Sequence, residues 1–78
     1  MLNIIHFLVE QGCKIEVHTD NLMSFWVDDK PKYSYLVEHV GRKYILTKHI
    51  KYNGVVCSPE MTRLSERGLI KLMQDLIF

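Results

Sequence analysis

The side chains of this chain that most commonly bind zinc are four histidines and two cysteines: His6, His18, His39, His49, Cys13 and Cys57. A zinc site requires four convergent ligands, and close pairs on a turn or a helix face usually supply them. The chain has no C-x-x-C pair and no H-x-x-x-H pair. In the strand register that we expect, His39 faces Tyr44 and His49 faces Ser34, so the two do not meet. We therefore expect no bound metal ion.

Residue patterns for catalysis are equally sparse. No segment matches G-x-S-x-G, a glycine-rich phosphate loop or a kinase signature. Asp28 and Asp29 are adjacent carboxylates, but neighbours in a strand point to opposite faces, and a turn accounts for both. A pairing of Cys13 with His18 stays open, because catalytic partners need not be close in sequence. Since no third group is evident to orient the histidine, we expect neither enzymatic activity nor a cofactor.

Length and composition indicate a single globular domain. The chain has 78 residues, of which 47% are hydrophobic and 24% charged, and such a composition is typical of folded chains. We predict one domain over residues 1–78. A core of this size is marginal, because burial at about 25 cal/mol per Å² only slightly exceeds the chain entropy that it opposes. Dimerisation or partner binding would be a natural source of extra stability.

The N-terminal segment MLNIIHFLVEQG is a poor signal peptide, because it has no basic region and polar residues interrupt its apolar run. No apolar run in the chain approaches the roughly 20 residues of a membrane span. We therefore expect a cytoplasmic protein without a membrane partner. Cys13 and Cys57 are expected to be free thiols in that compartment.

Periodic apolar residues predict the elements that must position these side chains. Asn3 is the expected N-cap of a first helix that ends near Gln11, with Gly12 as its C-terminal stop. Alternation and turn residues predict strands at KIEVHT, LMSFWVDD, KYSYLVEH, KYILTKHIKY and a short VVC.

A second helix is predicted over residues 59–77. Ser58 is its expected N-cap, and Pro59 occupies the first helical position, where its missing N–H costs nothing. Gly68 lies within the apolar face and is expected to let the helix approach the sheet closely. That face is formed by Met61, Leu64, Leu69, Leu72, Met73 and Leu76.

Turn residues predict how the strands are connected. Gly41-Arg42 suits a type II′ hairpin and Asn53-Gly54 a type I′ hairpin, because both turns need positive φ angles. The segment DDKP at residues 28–31 is expected to form the preceding turn. The predicted fold is α+β: an antiparallel β-meander of four to five strands, flanked by an N-terminal and a C-terminal helix in a two-layer sandwich (α-β-β-β-β-(β)-α).

The charge is unevenly distributed along the chain. Residues 1–29 carry four more acidic than basic side chains, whereas residues 30–51 carry five more basic than acidic ones. Lysines can bind phosphates and tyrosines can stack on bases, so this basic hairpin predicts nucleic-acid binding as one alternative. Its candidate residues are Lys30, Lys32, Arg42, Lys43, Lys48 and Lys51. The other interpretation, which we favour, is a solvated sheet face whose lysines protect against aggregation.

The order of elements is similar to that of double-stranded RNA-binding domains. That family has a lysine cluster at the start of its second helix, whereas this chain has SPEMTRLS there.

A second candidate surface lies on the helices. Arg63, Arg67, Lys71 and Gln74 share one side of the predicted second helix, but nearby Glu60 and Asp75 favour a solvated, partly paired face. Apolar residues next to this stripe could form a partner-binding patch. We predict partner binding through Phe7, Arg63, Arg67, Ile70 and Ile77. The alternative is that the two helices pack side by side and bury the three apolar residues.

We favour a small, non-enzymatic protein-binding module that contacts another protein or a second copy of itself. The chain lacks alanine and is rich in isoleucine and lysine, which suggests an AT-rich gene. In size, coding bias and lack of catalytic motifs it resembles phage-encoded inhibitors of host or defence proteins, including anti-CRISPR proteins. That resemblance implies inhibition by occupying a surface of the target. A nucleic-acid-binding regulator is the alternative.

Overall fold

The fold was determined as a computed structural model, which describes residues 1–28 and 32–78. A helix α1 (Leu2–Glu10) precedes five strands, and a short 3-10 helix (Pro59–Met61) leads into helix α2 (Glu66–Leu76). The strands are β1 (Cys13–Thr19), β2 (Leu22–Val27), β3 (Tyr33–Val40), β4 (Lys43–Ile50) and β5 (Gly54–Val56). The predicted turn DDKP lies largely outside the described residues, because Asp29, Lys30 and Pro31 are not among them.

The strands form one antiparallel sheet in the order β1-β2-β3-β4-β5. This arrangement confirms the predicted α+β fold with a meander between two helices. Gly41 has a φ of 61° and lies in a two-residue loop closed by Val40 and Lys43, as the type II′ prediction requires. The β4–β5 connection differs from the prediction, because Ile50 pairs with Gly54 across a three-residue loop rather than across Asn53-Gly54.

Alternation along the strands separates two faces of the sheet. On the inner face lie the buried side chains of Met23, Phe25, Tyr35, Val37, Tyr44 and Leu46. The helices complete this core with Ile4, Leu8, Met61, Leu69 and Met73. The outer face comprises the alternate residues, and no helix among the described residues packs on it.

The role of Asn3 in helix α1 differs from the predicted one. Asn3 lies inside the helix rather than at its N-cap, and its amide donates a hydrogen bond of 2.9 Å to Glu66 on α2. This bond and the contact between the helices place α1 beside α2 on the inner face. Gly12 follows the helix with a φ of 80°, which confirms it as the stop signal, because such a conformation favours glycine.

The predicted helix over residues 59–77 is wrong in its first half. After the 3-10 turn, the chain extends and Leu64 pairs with Tyr44, through backbone hydrogen bonds of 2.7 and 3.0 Å. This pairing satisfies backbone groups on the edge of β4 beyond the end of β5, whose last residue, Val56, pairs with Lys48. A new helix then begins at Ser65, whose hydroxyl accepts a hydrogen bond from the Gly68 amide at 3.0 Å. Gly68 therefore lies in the capped first turn, and a Cβ there would meet the Ser65 hydroxyl rather than the sheet.

Candidate binding surfaces

The histidines and cysteines are dispersed over the fold. His39 stacks on Tyr44 at 4.3 Å between ring centroids, and His49 pairs with Ser34 across the strands, as predicted. His18 lies five residues from Cys13 along β1, about 16 Å at the usual rise, which is too far for proton transfer. Within the described part of the chain, no three histidine, cysteine or acidic side chains converge on a metal position.

The two thiols cannot meet within one chain. Cys13 belongs to β1, and Cys57 follows β5, so they lie at opposite edges of the five-stranded sheet. Four strand spacings of about 4.8 Å separate them by about 19 Å, whereas a disulfide requires Cα atoms within about 7 Å. Both cysteines are free. Burial, with a smaller contribution from the Asp28 carboxylate, raises the pKa of the Cys13 thiol, which lowers its reactivity.

The three apolar residues of the predicted partner-binding patch pack against the core. Phe7, Ile70 and Ile77 are half-buried against it, and the Phe7 ring contacts Phe78 edge to face at 5.8 Å between centroids. This packing fits the alternative in which the two helices lie side by side. Partner contact through these residues stays a prediction.

The two arginines of that predicted patch do not share a helix face. Arg67 is exposed in the first turn of α2, but Arg63 precedes the helix and has a φ of 55°. The stripe predicted from the helical wheel is therefore wrong, because Arg63 lies in a bend before α2 and has a left-handed backbone conformation. The expected Glu60–Arg63 and Lys71–Asp75 pairs are also not formed, since the one ion pair among the described residues joins Lys14 and Asp28.

The predicted basic hairpin is divided between its two ends. Lys32, Lys48 and Lys51 lie where β3 begins and β4 ends, whereas Arg42 and Lys43 lie at the opposite turn. Seven residues of strand separate the ends by about 23 Å. Lys30 lies outside the described residues. The candidates therefore form two separate basic groups instead of one continuous surface.

The outer sheet face carries an apolar cluster that the sequence interpretation missed. Leu22, Trp26, Leu36 and Ile45 lie on this face and are half-buried, yet none of them packs against the core. The signal was present in LMSFWV, where alternation assigns apolar residues to both faces of β2. A strand whose two faces are apolar needs a covering layer on each side.

A shallow hollow adjoins one end of this cluster. It is lined by Val40, Lys43, Ile45, Thr62 and Arg63, so two apolar side chains meet two cationic ones. Lys43 and Arg63 are exposed and form no ion pair with the described carboxylates. The hollow can therefore accept a ligand group that combines apolar surface with negative charge.

No protein-family model, curated protein or solved structure matches this chain significantly. Among the described residues, neither helix has the length and continuous apolar character of a membrane span.

Proposed function

We propose that this protein is a non-enzymatic binding module that attaches to another protein through the outer face of its sheet. The observation that supports this proposal is the apolar cluster of Leu22, Trp26, Leu36 and Ile45, on a face that no helix of the described residues covers. Tryptophan is among the side chains that most often dominate the binding energy of a protein interface. A domain with a small hydrophobic core gains stability when a partner binds to such a face.

The distribution of polar residues around the cluster supports an interface. Ser24, Ser34 and Thr47 lie between the apolar residues, whereas charged side chains lie mainly toward the edges, on β1 and at the Lys43 end. An apolar centre with a charged rim is the usual anatomy of a protein interface. Glu38, near Ile45, is the charged residue closest to the centre.

The size of the face favours a partner of a different kind over a second copy. Four strand spacings of about 4.8 Å and six residues of about 3.3 Å give a face of roughly 400 Å². Stable interfaces bury about 800 Å² on each partner. Two flat faces stacked on each other would fall short of this area, whereas a larger partner can extend over the rim into the hollow at Arg63.

The chemistry of the hollow specifies that partner further. An apolar surface would cover Trp26 and Leu36, and a carboxylate beside it would reach Lys43 and Arg63. Arg63 is held in the left-handed region at a φ of 55°, which costs an L-residue about 1–2 kcal/mol. A functional contact is one reason for retaining a strained backbone conformation. The implied activity is inhibition or recruitment by occupying the partner's surface, as in the phage-encoded inhibitors that the chain resembles in size and coding bias.

The proposal is tested by photo-crosslinking in cells that naturally encode the chain. A photoreactive amino acid at Leu36 should capture a protein other than this one, and the same group at Val9 should not. Val9 is a matched control because it is an apolar residue on α1 with 59% of its surface exposed.

Binding of the captured protein is then measured with purified variants. Leu36→Lys should weaken it about 30-fold or more, the effect of losing an interface hot spot. Arg63→Gly should weaken binding without loss of fold, because glycine adopts the same φ freely. Val9→Lys should bind like the wild type. Unchanged binding of Leu36→Lys would refute the proposal, as would sedimentation of the wild type as a dimer that Leu36→Lys converts to monomers.

A further inference from the structure

A second surface lies at the end of the sheet farthest from Arg63. It consists of Lys32, Tyr33, Lys48, Lys51 and Tyr52, which we name the lysine–tyrosine tip. The Lys51 amide donates a hydrogen bond of 2.8 Å to the Lys32 carbonyl, so the two side chains begin on neighbouring strands. The Lys48 ammonium lies 4.3 Å from the centroid of the Tyr33 ring, and the Lys51 ammonium 5.3 Å from that of Tyr52.

Tyr52 is the least expected residue of this tip. It occupies the centre of the three-residue β4–β5 loop with a φ of 70°, a conformation that is uncommon for a bulky residue. Its side chain is 92% exposed, so the core gains nothing from the ring. Glycine or asparagine would satisfy the loop with less strain. Folding alone therefore gives no reason for an aromatic ring at this position.

The electrostatic environment of the tip is cationic. Within residues 1–28 and 32–78, none of the three lysines forms an ion pair with a carboxylate. Two of the ammonium groups lie over tyrosine rings instead, and a cation–π contact leaves their remaining N–H donors free for an anion. A shallow depression between the strands is lined by Lys32, Tyr33, Ile50, Lys51, Tyr52 and Asn53. An anion bound there would meet Lys32, just before β3, and Lys51, just after β4.

We propose that the lysine–tyrosine tip binds single-stranded nucleic acid, with a base stacked on Tyr52 and phosphates on Lys32 and Lys51, the two lysines that line the depression. Exposed aromatic rings beside lysines are the usual platform for single strands, because every base presents a face for stacking. A duplex would leave Tyr52 without a base to stack on, since its bases are already stacked. An acidic peptide would use the lysines but not the ring. This proposal is independent of protein binding through the outer face.

The expected salt dependence follows from the number of lysines. Each phosphate contact on a single strand contributes about 0.7 to the slope of log affinity against log salt concentration. Two contacts give a slope of about −1.4, so a rise from about 50 to 200 mM salt should weaken binding roughly 7-fold.

The experiment measures the fluorescence anisotropy of a labelled oligothymidine with wild type and variants. Tyr52→Phe should bind like the wild type, because the ring still stacks. Tyr52→Gly should bind about 5- to 150-fold more weakly, the range expected for one stacked base, while its circular dichroism stays native. Lys32→Gln with Lys51→Gln should reduce the salt slope by about 1.4. Arg42→Gln with Lys43→Gln, which removes the same charge at the other end, should change little.

Four results would overturn the proposal. They are the absence of binding at low salt, wild-type affinity in Tyr52→Gly, equal losses in the two double variants, and tighter binding of duplex than of single strands. Stronger binding of a polyglutamate peptide than of the oligonucleotide would identify an acidic protein segment as the ligand instead. Leu36→Lys should leave oligonucleotide binding unchanged, which separates this test from that of the outer face.

Discussion

The packing of α2 can be tested by truncating single side chains. Leu69 and Met73 are both 0% exposed and lie one helical turn apart against the sheet. Leu72 is only half-buried at the margin of the same core. The apolar pattern alone predicts that Leu72→Ala is among the costliest changes, at about 2–5 kcal/mol. The structure instead assigns that cost to Leu69→Ala, because the cavity left at position 69 has no access to solvent.

The loss of stability expected for Leu69→Ala is large for a protein of this length. At about 0.05–0.15 kcal/mol per residue, 78 residues are stabilised by roughly 4–12 kcal/mol. Leu69→Ala should remove about 2–5 kcal/mol of this, whereas Leu72→Ala should remove less than about 2 kcal/mol. Since about 1 kcal/mol lowers the melting temperature by 4–8 °C in a domain of this size, the two variants should melt well apart.

Urea and thermal unfolding, followed by circular dichroism and by the fluorescence of Trp26, measure the difference. Leu36→Ala is the control on the outer face, where truncation should cost less than about 1 kcal/mol because no cavity is created. If Leu72→Ala cost as much as Leu69→Ala, α2 would have to be rotated about its axis. If Leu36→Ala cost as much as Leu69→Ala, the outer face would belong to a core and could not be a free binding surface.

Three further predictions concern local features. Ser65→Ala should destabilise the protein by about 0.5–2 kcal/mol in urea unfolding, because it removes the cap on the Gly68 amide, and Ser58→Ala should cost less. A thiol reagent should modify the exposed Cys57 before the half-buried Cys13, whose raised pKa reduces the thiolate fraction; equal rates would contradict the placement of β1. Burial raises the pKa of Tyr35 and Tyr44 above the usual value near 10, so the unfolded state releases their protons first and the free energy of unfolding should fall as the pH rises through about 10. Tyr44→Phe should weaken that dependence.

The meander could be predicted from sequence because its signals are local. Alternation in KIEVHT and KYILTKHI fixes which side chains share a face, and Gly41 meets a turn that requires positive φ. Helix α2 was predicted to begin seven residues too early. The reason is that Met61 and Leu64 have the same helical spacing as the apolar residues of α2. The pairing of Leu64 with Tyr44 overrides that spacing, and such a tertiary contact leaves no local signal. The serine in LSERG was the available sign of a second N-cap.

The candidate surfaces were less predictable, because they depend on which residues of distant segments become neighbours. The apolar outer face follows from alternation in β2 together with the placement of both helices on the other side of the sheet. The division of the basic residues follows from the hairpin itself, since Arg42 lies in its turn and Lys51 beyond its other end. A charge count along the chain cannot detect that division, because it adds side chains that are about 23 Å apart.

Backbone strain connects the two proposed surfaces. Among the described residues, two that are not glycine have positive φ angles, Tyr52 and Arg63, and they lie at opposite ends of β4. At about 1–2 kcal/mol each, their strain is a considerable fraction of the roughly 4–12 kcal/mol that stabilises a domain of this length. Both side chains are exposed, so packing does not offset the strain. Glycine at either position should leave the fold intact and raise or maintain its stability. A role in ligand binding would explain why both strained residues are kept. In our proposals, Arg63 binds a carboxylate of the partner protein and Tyr52 stacks on a nucleic-acid base.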